Sequence, residues 1–170
     1  MFHRVLVLLV ASCLACSAAL AAEEPKRIGT FEKWFAYTFG AKGAQVCYVY
    51  GEPTKESGEY TKRGPVYLQV AHRQKDKVVN ELSVTAGYPY KPDSEAEVDI
   101  DGAKFLLFTK DEGAWARDAK IEAAVVKAMR GGKNMVVRGV SQRGTKTTDT
   151  YSLAGFGAAS NAINTACGVK

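Results

Sequence analysis

Two cysteines, Cys47 and Cys167, lie 120 positions apart and constrain this chain more than any other feature. The full sequence holds four, but Cys13 and Cys16 fall in a segment with the form of a secretory leader. Met1-Phe-His-Arg4 gives a charged start, Val5 to Leu14 is apolar, and Ala19-Leu20-Ala21 has the small-x-small pattern after which a signal peptidase cuts. Cleavage there leaves a mature chain from Ala22 with two cysteines in an oxidising compartment, where one disulfide, Cys47 to Cys167, is expected. Two free thiols are the alternative. A metal pair would have only His72 to complete it and no CxxC to build on. In the chain-entropy picture, closing so long a loop contributes about 5 kcal/mol. A fold that satisfies the bridge must bring its last residues back onto a strand near its start.

A competing processing signal exists. Val10-Ala-Ser-Cys13 is similar to a bacterial lipoprotein signal, in which Cys13 would carry lipid and the product would be a lipid-anchored outer-membrane accessory protein. The expected organisation is a signal peptide over 1–21, a flexible polar leader over 22–29 and a single domain over 30–170. Export places the protein in the periplasm or outer envelope, or outside the cell. The formal charge of +5 becomes +4 once Arg4 is removed, and Lys and Arg alternate with Asp and Glu throughout. Nucleic-acid binding calls for a clustered basic stripe interleaved with aromatics. That pattern is absent, so nucleic acid is not an expected partner. The mild positive excess is compatible with peripheral association with acidic head groups.

Strand signals dominate the rest. The aromatic run 31–39 reads as one strand, with Phe31, Phe35, Tyr37 and Phe39 on one parity and Trp34 on the other. Residues 45–50 carry apolar side chains on both parities, which predicts a central strand buried on two faces. Residues 51–64 are a long polar excursion, the best candidate for a variable surface loop. Strands follow at 65–72 and 78–86. Asp101-Gly102 marks a hairpin between 96–100 and the apolar run 104–108, which is expected to be buried. Ala114-Trp115-Ala116 reads as a short link. Asp118 caps a helix whose face is Ile121, Ala124, Val125, Ala128 and Met129, and Gly131-Gly132 is expected to end it in a left-handed cap. A second hairpin joins 134–141 to 147–153. The last helix presents Ala159, Ala162, Ile163, Ala166 and Cys167 on one face. The sum is a mainly β chain, an antiparallel immunoglobulin-like β-sandwich of about eight to nine strands with two peripheral helices.

Chemistry is harder to find. His72 would need a nucleophile or carboxylate beside it to act as a base, and an unrecognised periplasmic enzyme built on it is the alternative to a binding protein. Asp99-Ile-Asp101-Gly102 lacks the further oxygen ligands of a calcium loop. No P-loop, GxSxG or HExxH occurs. No catalytic residue, metal or cofactor is therefore assigned. Trp34 and Trp115 read as core. Tyr88 and Tyr90, flanking Pro89, are candidate exposed aromatics for contact with a partner. Lys62 and Arg63, at the end of the long loop, complete the candidate interaction surface. The hydroxyl cluster Thr145, Thr147, Thr148, Asp149 and Thr150 suits β-strand and turn chemistry, with an adhesive or carbohydrate-facing edge as the alternative.

In combination these residues resemble a known family. Phe31-x-x-Trp34, Val46-Cys47-Tyr48, Val98-Asp-Ile-Asp-Gly102, Phe105-x-Leu107, Ala114-Trp115-Ala116 and Met129-Arg-Gly131 occur in order. They precede Ser141-x-Arg-Gly144-Thr-x-Thr-x-Asp149-Thr-Tyr151-Ser-Leu-x-Gly155-Phe156 and the terminal Ala166-Cys167. The pattern is similar to that of the invasion-associated locus B family of alphaproteobacterial exported proteins, over essentially all of 31–167. The resemblance implies a β-sandwich, export to the periplasm or envelope, and no known catalytic residues. In intracellular pathogens it implies a link to host-cell invasion. The expected partner is thus an unknown protein or envelope component, with the host-cell surface as partner only in a pathogen.

Overall fold

The structure, a computed structural model, describes residues 24–169. The leader expected over 1–21, with Cys13, lies outside the described residues. Eleven strands form: β1 (Lys26–Phe31), β2 (Trp34–Phe39), β3 (Val46–Gly51), β4 (Lys55–Gly58), β5 (Tyr67–Arg73), β6 (Val78–Thr85), β7 (Glu95–Ile100), β8 (Ala103–Lys110), β9 (Gly113–Trp115), β10 (Asn134–Val140) and β11 (Lys146–Ser152). Two helices join them, α1 (Ala119–Gly131) between β9 and β10 and α2 (Phe156–Cys167) after β11. The strands pair antiparallel in the order β1-β2-β3-β5-β6-β9-β8-β7-β10-β11-β4.

Period-two patterning explains why this long sheet folds over. In β2 the buried residues are Trp34 and Ala36; in β5, Leu68, Val70 and His72; in β7, Ala96, Val98 and Ile100; in β10, Met135, Val137 and Gly139. The alternate residues are mostly half-buried or exposed. One face is therefore mostly apolar, with His72, Thr147 and Asp149 as buried polar exceptions, and it leaves water by closing on itself. The result is mainly β and sandwich-like. The Trp34 indole crosses the core, donating to the carbonyl of Ser152 at 2.9 Å and meeting Phe156 edge-on at 5.0 Å.

The helices cover the open end. Asp118 caps α1, accepting from the Ile121 N–H at 2.8 Å. Val125, Val126 and Met129 are buried, Ile121 and Ala128 are partly so, and Ala124 is exposed. Helix α2 lies across β1, β2, β3 and β5 and buries Phe156, Ala159, Ser160, Ile163 and Cys167. That placement delivers Cys167 to β3, where a disulfide joins it to Cys47 with 6.0 Å between Cα atoms.

The strand number exceeds the expected eight to nine, for identifiable reasons. The run 31–39 is the end of one strand and the whole of the next. Glu32, at φ 54°, makes the tight connection without the Gly, Asn or Asp that usually marks one. Pairing begins at Lys26, inside the stretch expected to be a polar leader. Within 51–64, β4 adds to the sheet edge beside β11, and the short link at Trp115 is strand β9.

Burial departs from expectation in three places, and one helix cap departs in its backbone angle. Residues 104–108 are not buried throughout, since Leu106 is 50% exposed and Leu107 alone is fully buried. Trp115 is half-buried on the outer face against Phe108, with ring centroids 5.7 Å apart. Strand β3 is central but buried on one face. Its other face forms an aromatic ladder with β2, in which Tyr37 and Tyr48 stack at 5.1 Å. Gly132 ends α1 at φ −85°, not in a left-handed cap. A glycine is needed there for space, because a Cβ would come within 2.7 Å of Ile100 and 2.9 Å of Leu153.

Candidate functional site

Three segments far apart in sequence meet at one end of the sheet: 59–64, 87–89 and 141–147. Strand β4 carries the first of them there. Its pairing with β11 is extended by Thr54, whose N–H donates to the Thr150 carbonyl at 2.7 Å. Arg63 then turns inward. Its guanidinium grips Asp149 with two hydrogen bonds of 2.7 and 2.6 Å, and its Nε donates to the carbonyl of Ala86 at 2.8 Å. Both side chains are 3% exposed.

The second segment is fastened by backbone. The Gly64 N–H donates to the Gly87 carbonyl at 2.8 Å. Gly87 sits at φ +71°, and a Cβ there would lie 2.4 Å from the Gly64 carbonyl oxygen. Both the crossing and the backbone angle select glycine. The third segment is a turn tied to itself and to the second. The Thr145 N–H donates to Ser141 Oγ at 3.1 Å, the Gln142 N–H to the Pro89 carbonyl at 2.8 Å, and Tyr90 bridges to Ser141. At Gly139 a Cβ would come within 2.6 Å of the Tyr90 ring and 2.8 Å of the Tyr88 hydroxyl, so glycine there makes room for both tyrosines.

The three segments enclose an open cleft of about 780 Å³, within the range of about 300–1,000 Å³ usual for small-ligand sites. Tyr60 and Tyr88 bracket the Arg63 guanidinium, with its carbon 5.3 and 5.2 Å from their ring centroids. Burial opposes the Arg63 charge, but the Asp149 carboxylate outweighs it and the guanidinium is held more firmly protonated than usual. Burial also raises the Tyr88 phenol, and the 2.5 Å hydrogen bond to Thr147 Oγ1 offsets part of that rise. The rim carries Lys62 and Arg143 against Glu59 and Glu112. Besides these four exposed charged side chains, the lining offers a ligand aromatic surface, hydroxyls and an amide.

The structure splits the sequence-predicted surface. Lys62 and Tyr88 line the cleft. Arg63 and Tyr90 do not present themselves to solvent. Arg63 is spent on Asp149, and Tyr90 is 6% exposed beneath Tyr88, with ring centroids 5.3 Å apart. The hydroxyl cluster divides by parity, with Thr147 and Asp149 buried and Thr148 and Thr150 half-buried. Tyr60 and Gln142 carry no sequence signal of their own, because nothing in one dimension sets them beside Tyr88.

His72 lies outside this cleft, 1% exposed, between β5 and α2. Its Nδ1 accepts from the Asn80 N–H at 3.0 Å, so Nε2 carries the proton and donates to Asn164 Oδ1 at 2.8 Å. Burial lowers its pKa, with Asn164 and the backbone opposing. Both ring nitrogens are occupied, Nδ1 in joining β5 to β6 and Nε2 in holding the sheet to α2.

A family model described as "Invasion associated locus B (IalB) protein" matches residues 34–164. The crystal structure of invasion associated protein B from Bartonella henselae superposes with a TM-score of 0.58 at 14% identity, over 81% of this chain and 95% of that one. At that identity the likeness establishes the fold. Comparison with curated proteins finds no match.

Proposed function

The chain belongs to the invasion associated locus B family, and from that premise we propose that it is an exported, non-catalytic binding module of the bacterial envelope that works through the cleft between Tyr60, Tyr88 and the turn 141–145. One observation carries this reading. The buried Arg63–Asp149 pair holds the wall 59–64 in place before any ligand arrives, so little ordering is left to oppose binding. The leader-like start supports export.

Cell fractionation with intact mass tests the location. The expected species is periplasmic or envelope-bound and begins at Ala22. A cytoplasmic, full-length species would contradict export. For binding, immobilised mature protein is exposed to solubilised envelope. It should retain a component that Tyr60→Ala, on the exposed rim, releases. Equal retention by that variant would remove the cleft from the account. In a pathogenic member the same module would contact the host-cell surface, and a deletion strain that invades cultured cells as well as its parent would end that extension.

A further inference from the structure

Resting on the reading of the cleft as a binding site, we propose that its ligand is a neutral oligosaccharide. The first reason is charge. The one deeply placed cation, Arg63, is neutralised by Asp149, and Lys62 and Arg143 on the rim are matched by Glu59 and Glu112. A site for phosphate, sulfate or a carboxylated sugar would keep cations in excess where the ligand sits. This one does not.

The second reason is the kind of surface left. Pyranose rings offer an apolar C–H face and a fringe of hydroxyls that both donate and accept. Their complement is an aromatic ring beside groups that can also do both. The cleft pairs Tyr60, 36% exposed, and the half-buried Tyr88 with exposed Thr61, exposed Gln142 and half-buried Thr145. Their supports are fixed. The turn bearing Gln142 and Thr145 is closed by the Ser141 hydroxyl, and the Tyr88 phenol is held by Thr147. In the cleft, Tyr60 and Tyr88 each turn one ring face to Arg63, whereas in the outer ladder Tyr37 and Tyr48 stack on each other at 13°.

The volume, about 780 Å³ and open to solvent, suits several linked rings. The same chemistry could come from envelope polysaccharide or from glycans of another cell. The test is a binding panel of neutral oligosaccharides in two arms, bacterial envelope and animal cell surface, each with sulfated and sialylated counterparts. The bound arm identifies the source. At least one neutral oligosaccharide should bind, and Tyr60→Ala and Gln142→Ala should each weaken it by about tenfold. Replacing Lys62 and Arg143 together by Ala should change affinity by less than about threefold. A blank neutral panel, binding confined to the anionic counterparts, or neutral binding indifferent to Tyr60 would each overturn the proposal. A blank panel alongside an envelope component that Tyr60→Ala releases would sink the saccharide class and leave the cleft standing.

Discussion

Arg63 and Asp149, 86 residues apart, form a two-pronged ion pair with each side chain only 3% exposed to solvent. The pair ties a loop from the first half of the chain to the penultimate element. Removing Arg63 strands the Asp149 carboxylate in a low-dielectric site, and removing Asp149 leaves Arg63 only the more distant, part-exposed Glu56 carboxylate at 3.4 Å. Arg63→Ala and Asp149→Ala should each cost about 3–5 kcal/mol, whereas the joint change Arg63→Met with Asp149→Leu should cost far less. Urea unfolding of the three variants checks this; equal losses in singles and double would refute it.

The Cys47–Cys167 bridge closes a loop with a sequence separation of 120. Replacing both cysteines by Ala should lower stability by about 2–5 kcal/mol. Non-reducing peptide mapping should join the two residues in the native protein. Recovery of both as free thiols would contradict the bridge.

Gly87 should tolerate no side chain. Its φ of +71° and the 2.4 Å separation that a Cβ would have from the Gly64 carbonyl oxygen act together. Gly87→Ala should destabilise by about 1–3 kcal/mol, against near-neutrality for Lys62→Ala on the open rim. Thermal melts of the two variants separate these outcomes.

His72 should make the fold acid-sensitive. Its folded pKa lies below the ordinary histidine value because burial penalises the charged ring. The folded state thus binds its proton less readily than the unfolded chain does. The stabilisation is complete above the unfolded value of about 6.5 and is lost as pH falls towards the lowered folded value. Urea midpoints measured downward from about pH 7.5 should fall more steeply in the native protein than in His72→Gln. Parallel profiles would show that His72 does not titrate in this way.

Much of the fold was legible because it rests on local signals. Asp101 and Gly102 take positive φ, 47° and 96°, as an Asp-Gly hairpin requires. Asp118 caps its helix, and Cys47 finds Cys167. Legibility failed where local signals are silent. Glu32 turns the chain against its type's preference, and β4 is a strand through its pairing with β11, not through its own polar sequence Lys55-Glu-Ser-Gly58. The candidate cleft was legible in part. Tyr88 and Lys62, singled out in sequence, line it, but an arginine buried on an aspartate reads in sequence like any surface cation. Tyr60 and Gln142 come together only through the crossing of Gly64 with Gly87 and the bridge of Tyr90 to Ser141.

The most direct test of the central claim is amide chemical-shift mapping of the mature protein as solubilised envelope material is added. Shifts should concentrate at Thr61, Lys62, Tyr88, Gln142 and Thr145, around the cleft. Shifts concentrated instead on the outer faces at Tyr37 and Tyr48 or at Leu106 and Trp115, or no shifts at all, would contradict it.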